Sequence, residues 1–496
     1  MAHAIVDSLV SRNPATGEEL GSVAATPVEE VAEAVARARE AQAHWGRLGW
    51  PERKVYLKRW WKILSRDAEI LARLIRDEVG KPRAEALAGD VIATLDALRW
   101  TVRHSGKALR EERVGAGHQR FLMLPAGRLS QRPLGVVGMI GTWNYPLFLN
   151  APPIAQALAA GNAVVWKPSE LAPLVGRRIE QSLEEAEMPK GLVGTVQGGS
   201  EVGRALVEAP IDKGFFTGGI ENGRRVLSAL ASRGISAVAE LSGFDPAIVL
   251  SDAPLVSTSR ALAWASFVGA GQTCVAVKRI YIVGDPAAWV EALATQAASL
   301  RVGNPANEAI DLGPMITESA REKFHASIRA AVNAGAEVIT GGEPMPGPGS
   351  FYRPTVLLGR STAPENCLTG VFGPVVIVRG VPDVESAIAA VNENPFGLGA
   401  SVWSKNVRAA SALAARLDAG MVTINEAVSP TMHAAAPFGG TKASGFGRTH
   451  GTLGLREFTQ TQVVFPRSVG GFRPHYFPYG VLPVDTVFRL YRRLFH

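Results

Sequence analysis

The chain has 496 residues, of which 47% are hydrophobic and 20% are charged, and its 52 glycines are spread along the whole length. This composition is typical of a globular α/β protein and excludes a disordered or fibrous one, and a chain this long is expected to form at least two domains. The net charge of +7 comes from scattered Lys and Arg rather than from a basic stripe, so we expect no nucleic-acid partner.

Cysteine usage and the N-terminus bear on the compartment. The sequence contains two cysteines, Cys274 and Cys367, which excludes a disulfide framework and favours a reducing compartment. The first twenty residues lack the pattern of a secretion signal, and no run reaches the roughly 18 apolar residues needed to span a bilayer. A cytoplasmic protein is expected, and a lone cysteine in such a protein is a candidate nucleophile.

The predicted elements change character along the chain. Residues 27–110 show apolar positions at three- and four-residue spacing, which predicts helices. From about residue 133, short β-type runs alternate with helical patterns: GVVGMIG, NAVVWKP, GTVQGG, KGFFTGG and SAVAEL. A second alternating series follows from about 247 to 425: AIVLSD, KRIYIVGD, AEVITGG, PTVLLG, PVVIVRG and GMVTIN. Such alternation predicts two α/β domains, the first a doubly wound parallel sheet whose ligands lie at the carboxyl ends of its strands.

The last residues predict a separate amphipathic helix after Pro483. One face carries the apolar side chains and the other carries the charged ones, namely Val484, Val487, Phe488, Tyr491, Leu494 and Phe495 against Asp485, Arg489, Arg492 and Arg493. Such a helix either docks on the rest of the protein or a partner subunit, or lies on a membrane surface.

Three residues combine into a candidate active site. Cys274 lies in GQTCVA, Glu240 follows the strand-like run SAVAEL, and Asn144 lies in TWNYP after GVVGMIG. Taken singly, each has an ordinary interpretation, as a buried cysteine, a strand-end carboxylate and a turn former. Taken together, in this order and spacing, the segments resemble the aldehyde dehydrogenase superfamily from about residue 12 to 465. TWNYP, KPSE, GQTCVA and the run around His433 before PFGG are closest to its class-3, fatty or aromatic aldehyde branch.

The resemblance implies a covalent mechanism. Cys274 attacks the aldehyde carbon as a thiolate, while Asn144 and the Cys274 backbone N–H hold the oxyanion. Hydride transfer from the thiohemiacetal to a nicotinamide leaves a thioester, and Glu240 acts as general base for the water that hydrolyses it. Because family members that pass the acyl group to coenzyme A generally lack this glutamate, a free carboxylic acid is the predicted product.

The resemblance also implies a dinucleotide site. Lys167 and Glu170 are expected to bind the adenosine ribose, and the glycine-rich run FTGGIENG is expected to place backbone N–H groups near the pyrophosphate. A glutamate at the ribose disfavours a 2′-phosphate, so NAD is predicted, with NADP as the alternative. The implied cofactor contacts are Ile140, Thr142, Trp143, Lys167, Ser169, Glu170, Gly199, Gly203, Phe216, Thr217, Gly218, Gly219, Gly223, Leu241 and Phe372.

Two positions depart from the family pattern. Gly219 stands where the family usually has serine, which removes a hydroxyl but leaves the backbone accessible. Gly370 stands where the family typically has a glutamate that holds the nicotinamide ribose. A looser grip on the nicotinamide is therefore expected.

The substrate tunnel is predicted by position in the class-3 pattern. Its expected lining is Tyr145, Phe148, Trp264, Thr273, Val428 and His433. A mostly apolar lining favours long-chain, aromatic or isoprenoid aldehydes. His433 has the alternative interpretation of an ordinary packed histidine. No cluster with metal-ligand spacing occurs, so no metal is predicted.

The resemblance implies the family's domain arrangement. Residues 1–117 and 135–240 form the NAD(P)-binding domain with its N-terminal helices, 241–430 the catalytic domain, 118–134 with 455–468 a β-rich oligomerisation element, and 469–496 the tail. Exposed strand edges in the β-rich oligomerisation element are expected to pair between subunits, which predicts a homodimer or homotetramer. The alternatives are a non-enzymatic scaffold or binding protein with the same fold, which Gly370 keeps open, and an acyl-transferring oxidoreductase, which Glu240 argues against.

Overall fold

The computed structural model describes residues 8–115, 125–470, 477 and 483–495. Its strands are β1 Ser8–Arg12, β2 Glu19–Ala24, β3 Glu112–Val114, β4 Gly127–Pro133, β5 Val136–Ile140, β6 Ala163–Lys167, β7 Val193–Thr195, β8 Lys213–Thr217, β9 Ala237–Glu240, β10 Asp245–Val249, β11 Val277–Val283, β12 Glu337–Thr340, β13 Thr355–Leu358, β14 Val375–Val381, β15 Phe396–Gly397, β16 Gly399–Trp403, β17 Met421–Ile424, β18 Thr441–Lys442, β19 Gly445–Phe446 and β20 Thr459–Val464.

The helices lie mostly between these strands. They are α1 Glu30–Trp45, α2 Trp50–Arg66, α3 Ala68–Val79, α4 Arg83–Glu85, α5 Ala93–Ala108, α6 Ala151–Ala159, α7 Pro173–Glu185, α8 Ser200–Glu208, α9 Ile220–Ala231, α10 Leu255–Phe267, α11 Ala287–Ser299, α12 Glu318–Asn333, α13 Ala363–Cys367, α14 Val384–Asn392, α15 Val407–Ala414, α16 Gly451–Arg456 and α17 Val484–Phe495. A π-helical stretch, Ala86–Ile92, joins α4 to α5, and 3-10 turns cover Val268–Gly271 and Ser429–Met432.

Contacts divide the chain into two units, of which the first comprises residues 1–109 and 132–460. This unit contains a six-stranded sheet in the order β19-β9-β8-β5-β6-β7 and a seven-stranded sheet in the order β12-β13-β14-β11-β10-β16-β17. Within the first sheet β5, β6, β7, β8 and β9 are parallel, and only β19 runs antiparallel. The predicted α/β class is confirmed, because the buried apolar strands are covered by helices on their faces.

The N-terminal helices and the first sheet share one hydrophobic core. Trp45, Trp60 and Trp166 are all but fully buried in it. Their indole N–H groups are satisfied, by the Leu158 carbonyl at 2.9 Å, by Ser182 Oγ at 2.8 Å and by Asn150 Oδ1 at 3.2 Å. The predicted helices over 27–110 therefore form because their apolar faces pack against the sheet.

The strand boundaries refine the domain prediction. The parallel strands of the first sheet end at Glu240 in β9, and the second sheet's strands begin at Asp245 in β10, while the predicted boundary is at 240/241. Residues 431–454 were assigned to no domain, and their strand β19 completes the first sheet by pairing with β9. The strand β16 was not predicted, because its sequence, GASVW, carries a weak β signal, yet it lies between β10 and β17 with every residue buried.

The second unit comprises residues 110–131 and 461–496. A three-stranded sheet in the order β20-β4-β3 and the helix α17 make up its described elements. The predicted element at 118–134 is represented by β4, and residues 118–124 lie outside the described residues. β3 falls in this sheet, although residues up to 117 were assigned to the nucleotide domain. Among the described residues, the longest apolar helices are too short or too polar to cross a membrane.

Candidate active site

Cys274 lies where two cavities meet. One cavity, of about 270 Å³, has a mostly apolar lining, and the other, of about 280 Å³, reaches the carboxyl ends of β8 and β9. The residues that line both are Phe148, Leu149, Cys274, Phe438 and His450. A group attached to the Cys274 sulphur could therefore extend in either direction.

Unusual backbone geometry forms the turn before Cys274. Gly269, Ala270 and Gly271 all adopt positive φ angles, of +65°, +54° and +65°. At Gly271 a Cβ would lie 2.1 Å from the Gly373 carbonyl oxygen, so only glycine fits. The buried Lys278 Nζ donates to the carbonyl oxygens of Gly271 at 2.8 Å and Gly373 at 2.6 Å. Lys278 thus joins the turn before the cysteine to the segment after Phe372.

The Asn144 amide adjoins the cysteine turn. Asn144 Nδ2 donates to the Gln272 carbonyl oxygen at 3.0 Å, and Thr142 Oγ1 donates to Asn144 Oδ1 at 3.0 Å. Both Asn144 and Cys274 line the second cavity. The next residue, Tyr145, shares a 2.9 Å hydrogen bond with Thr273 Oγ1. These bonds bring the TWNYP and GQTCVA segments together.

Asp90 holds the loop that follows Asn144. Its Oδ1 accepts from the backbone N–H groups of Leu147 at 3.3 Å and Phe148 at 3.2 Å, and Lys81 Nζ donates to its Oδ2 at 2.6 Å. Lys81 Nζ also lies 3.2 Å from the centroid of the Tyr145 ring. This buried ion pair therefore holds the loop that follows Asn144 in place.

Glu240 ends β9 and faces the second cavity. Among the described residues neither of its carboxyl oxygens has a hydrogen-bond partner, although the side chain is only 7% exposed. Burial raises the pKa of Glu240 well above its usual value, and the guanidinium of Arg448 opposes this. An unsatisfied buried carboxyl beside a cavity is poised to take a proton from a water or thiol that enters there.

The described surroundings of the Cys274 thiol oppose its ionisation. Burial, and then the negative charges of Asp245 and Glu240, raises the pKa of the Cys274 thiol to about 12. Since only the thiolate is a strong nucleophile, a base has to remove the proton as the substrate binds. Glu240 is a carboxyl group in the same cavity that can do so.

A third, larger cavity of about 590 Å³ lies along the carboxyl edge of the first sheet. Lys167 Nζ donates to Glu170 Oε2 at 3.0 Å at one end of it. At the other end α9 begins after Gly219, where a Cβ would meet nothing within 4 Å, so the backbone is open to a ligand. A helix N-terminus and a lysine with a carboxylate at hydroxyl-binding distance fit the pyrophosphate and ribose of a dinucleotide.

Most residues predicted to bind the cofactor line the second or third cavity. They are Ile140, Thr142, Trp143, Lys167, Ser169, Glu170, Gly203, Phe216, Thr217, Gly218, Gly219, Leu241 and Phe372. The rings of Trp143 and Phe372 meet edge to face at 5.7 Å. Gly199 and Gly223 lie outside the lining. Gly223 packs beneath it, where a Cβ would come within 2.3 Å of Leu241 Cδ2, and Gly199 precedes α8.

The predicted tunnel residues agree with the first cavity except for one. Tyr145, Phe148, Trp264, Thr273 and Val428 line it. The prediction for His433 is wrong in its placement: the side chain is exposed outside the lining, and its Nδ1 accepts a 3.3 Å hydrogen bond from the Ala435 backbone. Thr431 and Met432 line the cavity in its stead.

Two titratable residues at the first cavity were not predicted. Glu85 lines it and accepts a 3.1 Å hydrogen bond from the Gly269 backbone, and burial raises its pKa to about 7. His450 lines the first and second cavities. A lone histidine in RTHG and a glutamate in a helical pattern carry no sequence signal, because only the tertiary fold brings them to Cys274.

The structure also bears on metals. Within the described ranges, no group of three or more His, Cys, Asp or Glu side chains is arranged to hold a metal ion. Cys274 and Cys367 are both free thiols.

Comparison with known proteins agrees with the fold. The protein-family model described as "Aldehyde dehydrogenase family" matches residues 3–464 of the sequence. The chain is 34% identical to 4,4′-diapolycopene aldehyde oxidase of Methylomonas sp, covering 95% of this chain and 88% of that protein. It is 35% identical to betaine aldehyde dehydrogenase of Cereibacter sphaeroides, covering 91% and 92%.

A solved structure extends the likeness to three dimensions. The chain superposes on an aldehyde dehydrogenase C mutant from Pseudomonas syringae, in complex with NAD+ and octanal, with a TM-score of 0.88 and 30% identity over 94% of each chain. The family prediction is confirmed. The class-3 branch stays a prediction, because the names of the relatives vary.

Proposed function

Because the chain belongs to the aldehyde dehydrogenase family, we propose that it oxidises a hydrophobic aldehyde to the carboxylic acid, with NAD as the first cofactor and NADP as the alternative. The observation that carries the proposal is the position of Cys274, a single thiol shared by an apolar cavity and a cavity on the side of the dinucleotide-type sheet. We assign the chain to the class-3 branch of the family on its TWNYP and GQTCVA segments.

The proposed chemistry begins at the sulphur. Glu240 accepts the thiol proton, and the Cys274 thiolate forms an S–C bond to the aldehyde carbon. The carbonyl oxygen becomes an oxyanion, which Asn144 Nδ2 and the Cys274 backbone N–H hold. Asn144 Nδ2 carries two N–H groups, of which one donates to the Gln272 carbonyl, so the other can donate to the oxyanion.

Oxidation and hydrolysis complete the turnover. The residues that line the second and third cavities would hold a nicotinamide dinucleotide, whose chemistry would be to accept the hydride from the former aldehyde carbon. Glu240 releases the thiol proton to solvent and then takes a proton from water, whose oxygen forms a bond to the thioester carbon as the C–S bond breaks and Cys274 leaves as the thiolate. The raised pKa of Glu240, caused by burial, makes its carboxylate a stronger base towards the thiol and the water.

The apolar first cavity supports the substrate class. Aromatic and aliphatic side chains form most of its lining, and a solved relative has been captured with octanal, an apolar aldehyde. The relative named for betaine aldehyde marks the competing possibility of a small polar substrate.

A panel of aldehydes tests the proposal. Purified protein is given acetaldehyde, butanal, octanal, dodecanal and benzaldehyde with NAD or NADP, and reduced cofactor is followed by absorbance. We expect kcat/KM to rise with chain length by about tenfold per two to three buried methylenes until the cavity is filled. Cys274→Ser is the matched control and should be inactive. Activity confined to acetaldehyde and other small polar aldehydes would contradict the substrate class.

We also propose that α17 lies on a membrane surface that carries anionic lipid. Its apolar side chains are exposed, with Val484 78%, Phe488 59% and Leu494 58% accessible, and Arg489, Arg492 and Arg493 lie on the other face. Co-sedimentation with phosphatidylserine vesicles should require residues 481–496. Equal sedimentation with and without them would favour docking on protein.

The remaining proposal concerns assembly. β20 is a sheet edge, and Val463, Val464 and Phe465 at its end are 43%, 48% and 55% exposed. We propose that this edge pairs with a second copy to give a homodimer or homotetramer. Light scattering on the full chain should give the mass of two or four subunits, and a monomer would contradict this.

A further inference from the structure

His450 occupies a central place in the site that its sequence context does not reveal. It lines both the apolar cavity and the second cavity, a property that it shares with Cys274. Its ring lies between two aromatic side chains that also line both cavities, with centroids 5.2 Å from Phe148 and 6.1 Å from Phe438. The imidazole therefore lies in the wall of both cavities to which the Cys274 sulphur is also exposed.

The imidazole has unused hydrogen-bonding capacity. The His450 side chain is 4% exposed, and among the described residues its Nδ1 has no hydrogen-bond partner. A buried polar atom without a partner costs about 1–3 kcal/mol, so most proteins avoid it. Burial lowers the pKa of His450 to about 4, so the ring is neutral at physiological pH.

The backbone at His450 is held in an uncommon conformation. Its φ of +60° and ψ of 162° lie in a region that is essentially reserved for glycine. The neighbouring chain enforces it, because the His450 carbonyl accepts from the Gly454 N–H at 2.9 Å and the Thr449 N–H donates to the Phe438 carbonyl at 2.7 Å. Such conformations occur preferentially at sites where one side chain has to be presented to a ligand.

We propose that His450 is a specificity-determining residue that hydrogen-bonds an oxygen substituent close to the aldehyde group of the substrate. This inference rests on the proposed aldehyde oxidation and narrows its substrate to hydrophobic aldehydes that carry a hydroxyl group at carbon 2 or 3. A neutral imidazole offers one N–H and one lone pair, and a hydroxyl group both donates and accepts, so either tautomer of His450 can be satisfied.

The argument predicts discrimination against the unsubstituted aldehyde. A wholly apolar chain that fills the cavity offers Nδ1 no hydrogen-bond partner and leaves that atom unpaired. A site with a polar group to satisfy rejects the analogue that cannot do so more strongly than an apolar pocket rejects a chain of different length. Wild-type protein should therefore use 2-hydroxyoctanal or 3-hydroxyoctanal with a kcat/KM about tenfold above that for octanal.

A pair of isosteric variants isolates the hydrogen bond. His450→Leu removes the polar atoms, whereas His450→Asn retains a donor and an acceptor at the distance of Nδ1 from the backbone. Both place a non-glycine residue in the same strained conformation, so the backbone cost is matched. We expect the hydroxyoctanal-to-octanal ratio of kcat/KM to fall about tenfold in His450→Leu and to be largely kept in His450→Asn.

The outcomes separate this inference from the proposed function. If octanal and both hydroxyoctanals are oxidised by wild-type protein with equal kcat/KM, the inference fails and the aldehyde oxidation stands. If none of them is oxidised, the proposed substrate class itself fails. A ratio that is unchanged in His450→Leu also overturns the inference. If His450→Leu does not fold, the wild-type ratio and its retention in His450→Asn decide the matter alone.

Discussion

Two buried carboxylates near the active site, Asp90 and Glu240, differ in their hydrogen bonding. Asp90 accepts hydrogen bonds from Lys81, Leu147 and Phe148, whereas both oxygens of Glu240 lack a partner among the described residues. A buried carboxylate whose oxygens are hydrogen-bonded to a lysine and to backbone N–H groups has a structural role, because removal of the carboxylate or of the lysine leaves the other charge buried and unpaired. Lack of satisfaction beside a cavity indicates a group that is kept available for chemistry.

The largest expected effect is on turnover and follows from Glu240→Gln. An amide cannot accept the proton of the hydrolytic water, so steady-state acid formation should fall about 10³-fold. The unfolding free energy should stay the same or rise, because an unsatisfied buried carboxyl is replaced by a neutral group. Rapid-quench detection of the acyl thioester and urea denaturation provide the two readouts. Full turnover by the variant would remove Glu240 from the mechanism.

Asp90→Asn should lower the unfolding free energy, which is the opposite of the effect expected for Glu240→Gln. The variant leaves the Lys81 ammonium buried without its counter-ion, which costs about 3–5 kcal/mol of unfolding free energy. Urea denaturation measures the loss, and Asp311→Asn, which breaks an exposed pair with Arg301, is the matched control and should lose less. Equal losses in the two variants would dissolve the contrast between buried and exposed pairs.

Glu78 provides an intermediate case with a pH signature. It accepts from Ser11 Oγ, Leu174 N and Val175 N, yet burial raises its pKa to about 7. Between about pH 4.5 and 7 the folded carboxyl keeps a proton that the unfolded chain releases, so this group stabilises the fold at low pH and its contribution is lost as pH rises through 7. In wild-type protein the unfolding free energy therefore declines between about pH 4.5 and 7, and Glu78→Gln should make this decline smaller by about 1–3 kcal/mol. Parallel profiles of unfolding free energy would argue against the shift.

The smallest effect is expected where a carboxylate is missing. Gly370 lines the second cavity and has a φ of +76°, and a Cβ there would meet only Phe396 Cζ at 3.8 Å. Gly370→Glu should tighten NAD binding by a few-fold through hydrogen bonds to the nicotinamide ribose. Gly370→Ala carries the same backbone strain without the carboxylate and serves as its control in a fluorescence titration. Indistinguishable affinities for the two variants would show that the looser grip was wrongly inferred.

The sequence was sufficient for the α/β fold and for the three central residues. Hydrophobic periodicity predicted the N-terminal helices and most strands, since burial of those apolar residues drives their formation. The roles of Cys274, Glu240 and Asn144 came from family motifs, and the structure places all three on one cavity. Their roles themselves stay predictions.

Other parts of the site depend on tertiary contacts that no local pattern encodes. The strand β16 forms because β10 and β17 flank it, and His450, which has a positive φ, lines the two cavities that Cys274 also lines. The prediction that His433 lines the tunnel is wrong for a related reason. It rests on position in the sequence pattern, which does not determine the direction of a side chain in a loop. In that loop Thr431 and Met432 line the cavity, whereas His433, the next residue, is exposed to solvent.

Lys278 links two parts of the site energetically as well as spatially. One ammonium group binds the carbonyl of Gly271, three residues before the nucleophile, and that of Gly373, directly after Phe372. If one segment shifts and its hydrogen bond to Lys278 lengthens, Lys278 also holds the other segment less firmly. A ligand that moves one segment therefore also affects the other. By thermodynamic reciprocity, if an occupant beside Phe372 favours one placement of the sulphur, a substrate held at the sulphur strengthens binding of that occupant by the same factor. Order of addition then has no effect on the final affinity of the ternary complex.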